Sequence, residues 1–153
     1  MIIRETKNKS ELQPLMAEMR IALIDFIKRS QSHADSWGYW ALIMDHIGKR
    51  EFGLFIAEDE NENNKFCGFA VLNVERFALL TKNAHLRAVY IKPGQSKNLW
   101  NDGWPILENW AIKHGCESIT VIAKRCPSVY YEKKLKPLGF VPDSITFIKP
   151  LEV

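Results

Sequence analysis

Leu86-Arg-Ala-Val-Tyr-Ile-Lys-Pro-Gly-Gln-Ser-Lys-Asn-Leu-Trp-Asn-Asp-Gly-Trp104 opens the stretch whose reading decides the fold, and that stretch runs on to Phe140. The residues from Ala84 to Ile91 are apolar and β-branched enough to form a strand. Lys92-Pro93 ends it, because proline cannot donate to a central ladder. The segment from Lys92 to Gly103 is polar and basic and reads as a loop, with Asp102 as the cap of a helix that runs to about His114 and stops at Gly115. Glu117 to Ala123 is rich in β-branched residues and reads as a buried strand. Pro127 to Leu138 reads as a helix, with proline at its start and Gly139 past its end. A strand, a helix and a second strand in this order require a right-handed parallel crossover.

Working outward, Phe52–Ala57 and Phe66–Val74 are two strand-like runs joined by the acidic tip Glu58-Asp-Glu-Asn-Glu-Asn-Asn64, which makes an antiparallel hairpin. Ile2–Glu5 is a short strand. Ser10 opens a helix with Gln13 as its capping-box partner and Pro14 in the first turn. Leu12, Leu15, Met16, Met19, Leu23, Phe26 and Ile27 then form one apolar stripe at helical spacing. The residues from Ser30 to Ser36 read as a loop, Trp37 to Ile47 as a second helix ending at Gly48, and Thr146 to Leu151 as a final strand. The order β α α β β β α β α β combines antiparallel hairpins with one parallel crossover. The expected class is mixed α/β (α+β): one domain over residues 1–153, with a mostly antiparallel sheet flanked by about four helices.

Composition narrows the function. Hydrophobic residues make up 46% and charged residues 25% of 153 residues, which is ordinary globular usage. A net charge of +3 is too mild to announce nucleic-acid binding, so a nucleic-acid partner is not expected. No apolar run is long enough to span a bilayer, and Met1-Ile-Ile-Arg-Glu5 lacks the apolar core of a signal peptide. These features suit a cytoplasmic protein with no membrane partner. Cys67, Cys116 and Cys126 are odd in number and contain no CxxC pair, which argues against zinc or a disulfide framework and predicts no metal site.

Three local motifs carry a resemblance. They are Lys65-Phe-Cys-Gly-Phe-Ala-Val71, Val89-Tyr-Ile-Lys-Pro93, and the series Trp110–Cys116, Ile119–Ile122, Tyr131-Glu-Lys133 and Leu138-Gly-Phe140. In this order they resemble the GCN5-related N-acetyltransferase (GNAT) superfamily. The resemblance implies a splay between two central parallel strands that holds acetyl-CoA. The pantetheine would pair with the backbone of Val89, Tyr90 and Ile91, and the pyrophosphate would rest on the following loop and helix start. Lys92 and Lys97 would add charge there.

The family loop is [Q/R]-x-x-G-x-[G/A], and this chain departs from it. One register places Asn98 and Trp100 at the glycine positions; the other keeps Asn98, Asn101 and Gly103. Both put the Asp102 carboxylate beside the expected phosphate, where it repels an anion. The family's tyrosine position falls on Leu135, with Tyr131 one turn earlier.

For the chemistry, Tyr131 is the candidate donor to the leaving thiolate, and His85 and Glu75 are the candidate bases. His85 suits the task by its reference pKa, and reads equally as a strand-end histidine. Glu75 reads also as the partner of Arg76 in a surface ion pair. The basic residues Lys124, Arg125, Lys133, Lys134 and Lys136 either meet the adenosine 3′-phosphate or form a solvated face. Trp37, Tyr39, Trp40, Phe52 and Phe55 either border the acceptor or belong to the core.

Two functions of different class follow. One is an acetyl-CoA-dependent N-acyltransferase acting on an amine of a small molecule or a protein. The other is a degenerate GNAT-like domain without catalysis, serving as a binding or structural protein, of a kind found in bacteriophages and so placed in a phage particle. A homodimer or a protein partner fits either.

Overall fold

A computed structural model describes residues 1–30, 35–77, 81–122, 127–143 and 149. They fall into two compact units, residues 1–122 and 123–153.

In the first unit, β1 (Ile2–Glu5), β2 (Phe52–Asp59), β3 (Lys65–Phe77), β4 (Thr81–Ile91) and β5 (Ser118–Val121) form a sheet in that order. The first three pairings are antiparallel and β4–β5 is parallel. The helices are α1 (Lys9–Leu12), α2 (Met16–Ser30), α3 (Ser36–His46) and α4 (Ser96–Lys113). The fold class is the mixed α/β arrangement expected from the sequence.

The apolar stripe read from the sequence is buried where it counts. Leu12, Met19 and Leu23 pack with Ile43 of α3 against Leu54, Ile56, Phe69, Val71, Ala88 and Tyr90 of the sheet. On the other sheet face, Trp110 of α4 meets Phe55 edge-on, the ring centroids being 6.2 Å apart. A small apolar cavity of about 40 Å³ lies between α4 and the sheet.

Two expectations need correction. The Ser10–Gln13 capping box does not form: the first helix begins at Lys9 behind Asn8, which makes no side-chain cap bond, and Gln13–Leu15 is a 3₁₀ turn that accommodates Pro14. The segment from Lys92 to Gly103 is not a loop. Only Lys92–Gln95 lies outside helix, and α4 already runs from Ser96. Proline at position 105 looks like a first-turn residue, yet it lies inside the helix. Packing explains why. Leu99, Trp100, Trp104, Leu107, Trp110 and Ala111 are all buried, so one helical stripe continues across Pro105. Burying two extra tryptophans outweighs the roughly 3 kcal/mol that a proline costs inside a helix.

In the second unit, α5 (Pro127–Tyr130) continues into a π-helical turn, Tyr131–Leu135, and a 3₁₀ turn, Lys136–Leu138. Gly139 ends it at φ +85°. The expected strand from Thr146 to Leu151, Ala123 and Cys126 lie outside the described residues.

Candidate functional site: a strand splay with a polar face

The parallel pairing of β4 and β5 runs from Asn83↔Ser118 to Leu86↔Val121 and stops there. β4 continues to Ile91, still paired with β3 as far as Gly68↔Ile91. From Arg87 to Ile91, β4 therefore has no β5 partner among the described residues. An open strand edge offers backbone N–H and C=O groups to a ligand.

The splay begins at a bulge. Val71 pairs with Ala88, but Leu72 pairs with Leu86, so Arg87 is the extra residue. A bulge reverses the alternation of side chains along its strand. Upstream of it, Asn83 and His85 share a face with Asn73 and Glu75, their β3 partners at the neighbouring pairs. Downstream, Ala88 and Tyr90 turn to that same face and enter the core.

The polar half carries a hydrogen-bond chain. Ser118 Oγ donates to Asn83 Oδ1 at 2.8 Å, and Asn83 Nδ2 donates to Thr120 Oγ1 at 2.8 Å. Thr120 Oγ1 lies 2.9 Å from His85 Nδ1. Asn83 is 3% exposed, so this chain satisfies a buried amide and anchors the imidazole. Burial holds the His85 pKa below the ordinary imidazole value; Glu75 opposes the shift and Arg87 adds to it. His85 is thus neutral, with a lone pair available, at neutral pH. Arg87 Nε donates to Asn73 Oδ1 at 2.6 Å, and its guanidinium reaches Glu75 at 3.4 Å. The Tyr39 hydroxyl of α3 donates to the Arg87 carbonyl at 3.4 Å, and burial raises its pKa.

Beyond the splay, Tyr90 stacks on Phe69 with centroids 5.9 Å apart, beneath the Asp25–Arg29 ion pair of α2. Lys92 N–H returns to the Cys67 carbonyl at 2.8 Å. The next four residues form a tight turn, with Gln95 N–H donating to the Lys92 carbonyl at 3.1 Å, Pro93 at the second position and Gly94 at φ +91° at the third. That is the sequence signature of a type II turn. The N-terminus of α4 follows at once. Its cap, Gln95, makes no side-chain cap bond, and the first turn holds no acidic residue. The first-turn N–H groups and the positive end of the helix dipole are therefore available to an anion.

No family model matches the chain, and no curated protein matches it closely enough to be a relative. Solved structures do match in shape. A probable acetyltransferase superposes with a TM-score of 0.75 at 16% identity, covering 100% of this chain and 99% of its own. AAC(6')-Iy, in complex with the bisubstrate analogue CoA-S-monomethyl-acetylneamine, gives 0.75 at 15%, covering 99% and 98%. A predicted acetyltransferase from Clostridium acetobutylicum with acetyl-CoA gives 0.68 at 17%, covering 98% and 96%. The fold is that of the GNAT acetyltransferases.

Within this GNAT fold the expected site residues separate into groups. Val89, Tyr90 and Ile91 lie on the open stretch of β4. His85 and Glu75 share the polar face beside it, but Glu75 pairs with Arg87, while Arg76 pairs with Glu51 instead. Lys97 and Asn98 fall in the first turn of α4. Asn101 and Gly103 do not belong to a loop: both lie further along the helix, with Asn101 exposed and Gly103 facing Ile3. Asp102 is exposed and caps nothing, about 9 Å along the axis from Ser96 at 1.5 Å per residue. Tyr131 is half-buried at the start of the π-helical turn of the second unit, beside Tyr130, whose phenol burial pushes up to about 12.

Of the aromatic cluster, Phe52 and Phe55 are buried, Tyr39 and Trp40 pack on the core, and Trp37 is exposed under the Arg20 guanidinium, 4.1 Å away. Reading the sequence missed Asn83, Arg87 and Thr120. One signal was present: Asn83/His85 and Ser118/Thr120 are polar at alternate positions in two strands that must pair.

Among the described residues, no helix is long and apolar enough to cross a membrane, and no cluster of His, Cys, Asp and Glu is arranged to hold a metal ion.

Proposed function

We propose that this chain is an acetyl-CoA-dependent N-acyltransferase acting on an amine of a small molecule or a protein. One observation carries the reading: β4 outruns its parallel partner at Leu86↔Val121 and delivers its open edge directly to an uncapped helix N-terminus. An extended pantetheine suits the open backbone of Val89, Tyr90 and Ile91. A pyrophosphate suits the first-turn N–H groups of α4, those of Lys97 and Asn98 among them. With Asp102 away from the helix start, the charge conflict expected from the sequence is removed. A glycine-rich cradle is not needed if the turn through Gly94 already brings the helix end to the strand.

The reaction needs an unprotonated amine. Its nitrogen attacks the thioester carbonyl, the C–S bond breaks, and an amide and the thiol of CoA result. His85 is the proposed acceptor of the proton lost from the amine nitrogen, directly or through a water. Glu75 is committed to Arg87 and is proposed to hold that guanidinium rather than to act as base. Tyr131 remains the proposed donor to the thiolate, on the strength of the sequence resemblance.

Thermal unfolding with and without acetyl-CoA tests the reading. A ligand at 100 times its Kd stabilises by about 2.7 kcal/mol. Absence of any shift at millimolar acetyl-CoA would sink it, and would favour a GNAT-like domain that binds or builds without catalysis.

A further inference from the structure

A second recess opens at the β2–β3 side of the sheet, with Asn73 of the polar face on its wall. It is lined by His46 at the end of α3, Lys49, Arg50 and Glu51 in the following turn, Phe52 of β2, and Asn73 and Val74 of β3. It is an open recess of about 430 Å³, with polar and apolar groups on its walls. Its charges are unbalanced. Glu51 is already engaged by the Arg76 guanidinium, and Glu75 by Arg87. Lys49 and Arg50 are exposed and enter no ion pair among the described residues. His46 stands with them, and its Nδ1 is held by the Leu42 carbonyl at 2.9 Å; a carbonyl only accepts, so Nδ1 carries the hydrogen.

The recess has a fixed relation to His85. Phe52 pairs with Asn73, and Asn73 pairs with His85, so the three form one row straight across β2, β3 and β4. Neighbouring antiparallel strands lie about 4.8 Å apart, which puts the row's ends about 10 Å apart. Lys49 and Arg50 lie just before Phe52 in the chain.

From this geometry we infer that the acceptor is a small amine carrying an anionic group, carboxylate or phosphate, about 10 Å from its nitrogen. The nitrogen lies at His85, the chain crosses Asn73, and the anion is held by Lys49 and Arg50. The inference rests on the acyltransferase reading for its reaction, though not for the binding it requires.

The test uses the full chain, acetyl-CoA and linear ω-amino carboxylates of increasing length, each compared with the alkylamine of equal length that lacks the carboxylate. Carboxylates with about seven methylenes span the required gap. They should exceed the plain alkylamines in kcat/KM by about tenfold or more, the scale of one or two hydrogen bonds to a charged group. That preference should vanish in the Lys49→Ala/Arg50→Ala double variant, through KM. Phosphorylated amino alcohols of the same span distinguish a phosphate from a carboxylate preference.

Equal use of amines with and without the carboxylate, or a preference that survives the double variant, overturns the inference and leaves the acyltransferase reading intact. If no amine is acetylated, NMR titration of 8-aminooctanoate without acetyl-CoA decides. Shifts at His46 and Asn73 that disappear in the double variant support the recess as an anion site. No shift there overturns it. Circular dichroism checks that the variant is folded, and both substituted side chains are exposed.

Discussion

Replacing Gly68 by alanine should damage stability and acetyl-CoA binding together. Gly68 faces Ile91 across the β3–β4 pair, at the far end of the open edge. A Cβ placed there would lie 2.3 Å from the Tyr90 carbonyl oxygen, 3.2 Å from Leu99 Cδ2 and 3.4 Å from Ile91 Cα. The leucine methyl can rotate away, but the carbonyl belongs to the backbone of β4. Restoring an ordinary contact means parting the strands by about 1 Å, and overpacking of this kind costs about 1–3 kcal/mol. A stiffer unfolded chain returns about 0.4–1 kcal/mol. The net loss should be about 1–2 kcal/mol. Urea denaturation should show a lower midpoint with an unchanged slope, because the surface exposed on unfolding hardly changes. The stabilisation by acetyl-CoA should shrink as well, since the displaced residue, Tyr90, lies on the edge that would hold the pantetheine. A Gly68→Ala protein with wild-type stability and wild-type acetyl-CoA binding would refute the close approach of the two strands on which the splay depends.

Other outcomes follow from the same geometry. His85 is held below its ordinary value of 6.5, so the base stays unprotonated as pH falls through that value. The acid limb of kcat/KM should therefore lie below about 6.5, and should be lost or displaced in His85→Gln. The same depression means that protonation favours the unfolded chain, so His85 subtracts stability only as pH drops below the unfolded value of about 6.5, which an acid titration of wild type against His85→Gln would read. Gly94→Ala meets no atom within 4 Å but is forced to φ +91°, so it should lose about 1 kcal/mol by denaturation and weaken acetyl-CoA binding through the turn. Pro105→Ala restores an N–H for the Asn101 carbonyl in an exposed position of α4, and should raise the melting temperature.

How much of this was legible depended on the kind of signal. Periodicity and punctuation gave the strands at 52, 66 and 84, the stop at Pro93 and the helix ends at Gly115 and Gly139, because each reflects a local backbone requirement. The start of α4 was misread for the opposite reason. Asp102 is a strong local start signal, but burial of Leu99, Trp100 and Trp104 against the sheet overrides it. The site was legible one residue at a time, in His85 and the Val89–Ile91 edge. The assembly was not, because the Arg87 bulge and the Thr120 register are set by pairing between strands distant in sequence.

The Arg87 bulge has a consequence for how the chain tolerates change. β4 is written in two frames: odd-numbered positions face the polar side before Arg87, and even-numbered positions face it afterwards. A substitution leaves the frames alone, and loss of Arg87 itself would leave one regular alternation with His85 and Tyr90 still on one face, whereas insertion of one further residue beside Arg87 reverses every position beyond it. His85 and Tyr90 could then no longer share a face, and either the polar row or the apolar core would turn outward. The acidic tip at Glu60–Asn64 carries no such constraint and can lengthen freely. Insertions in this chain should therefore gather at that tip and be excluded from the middle of β4.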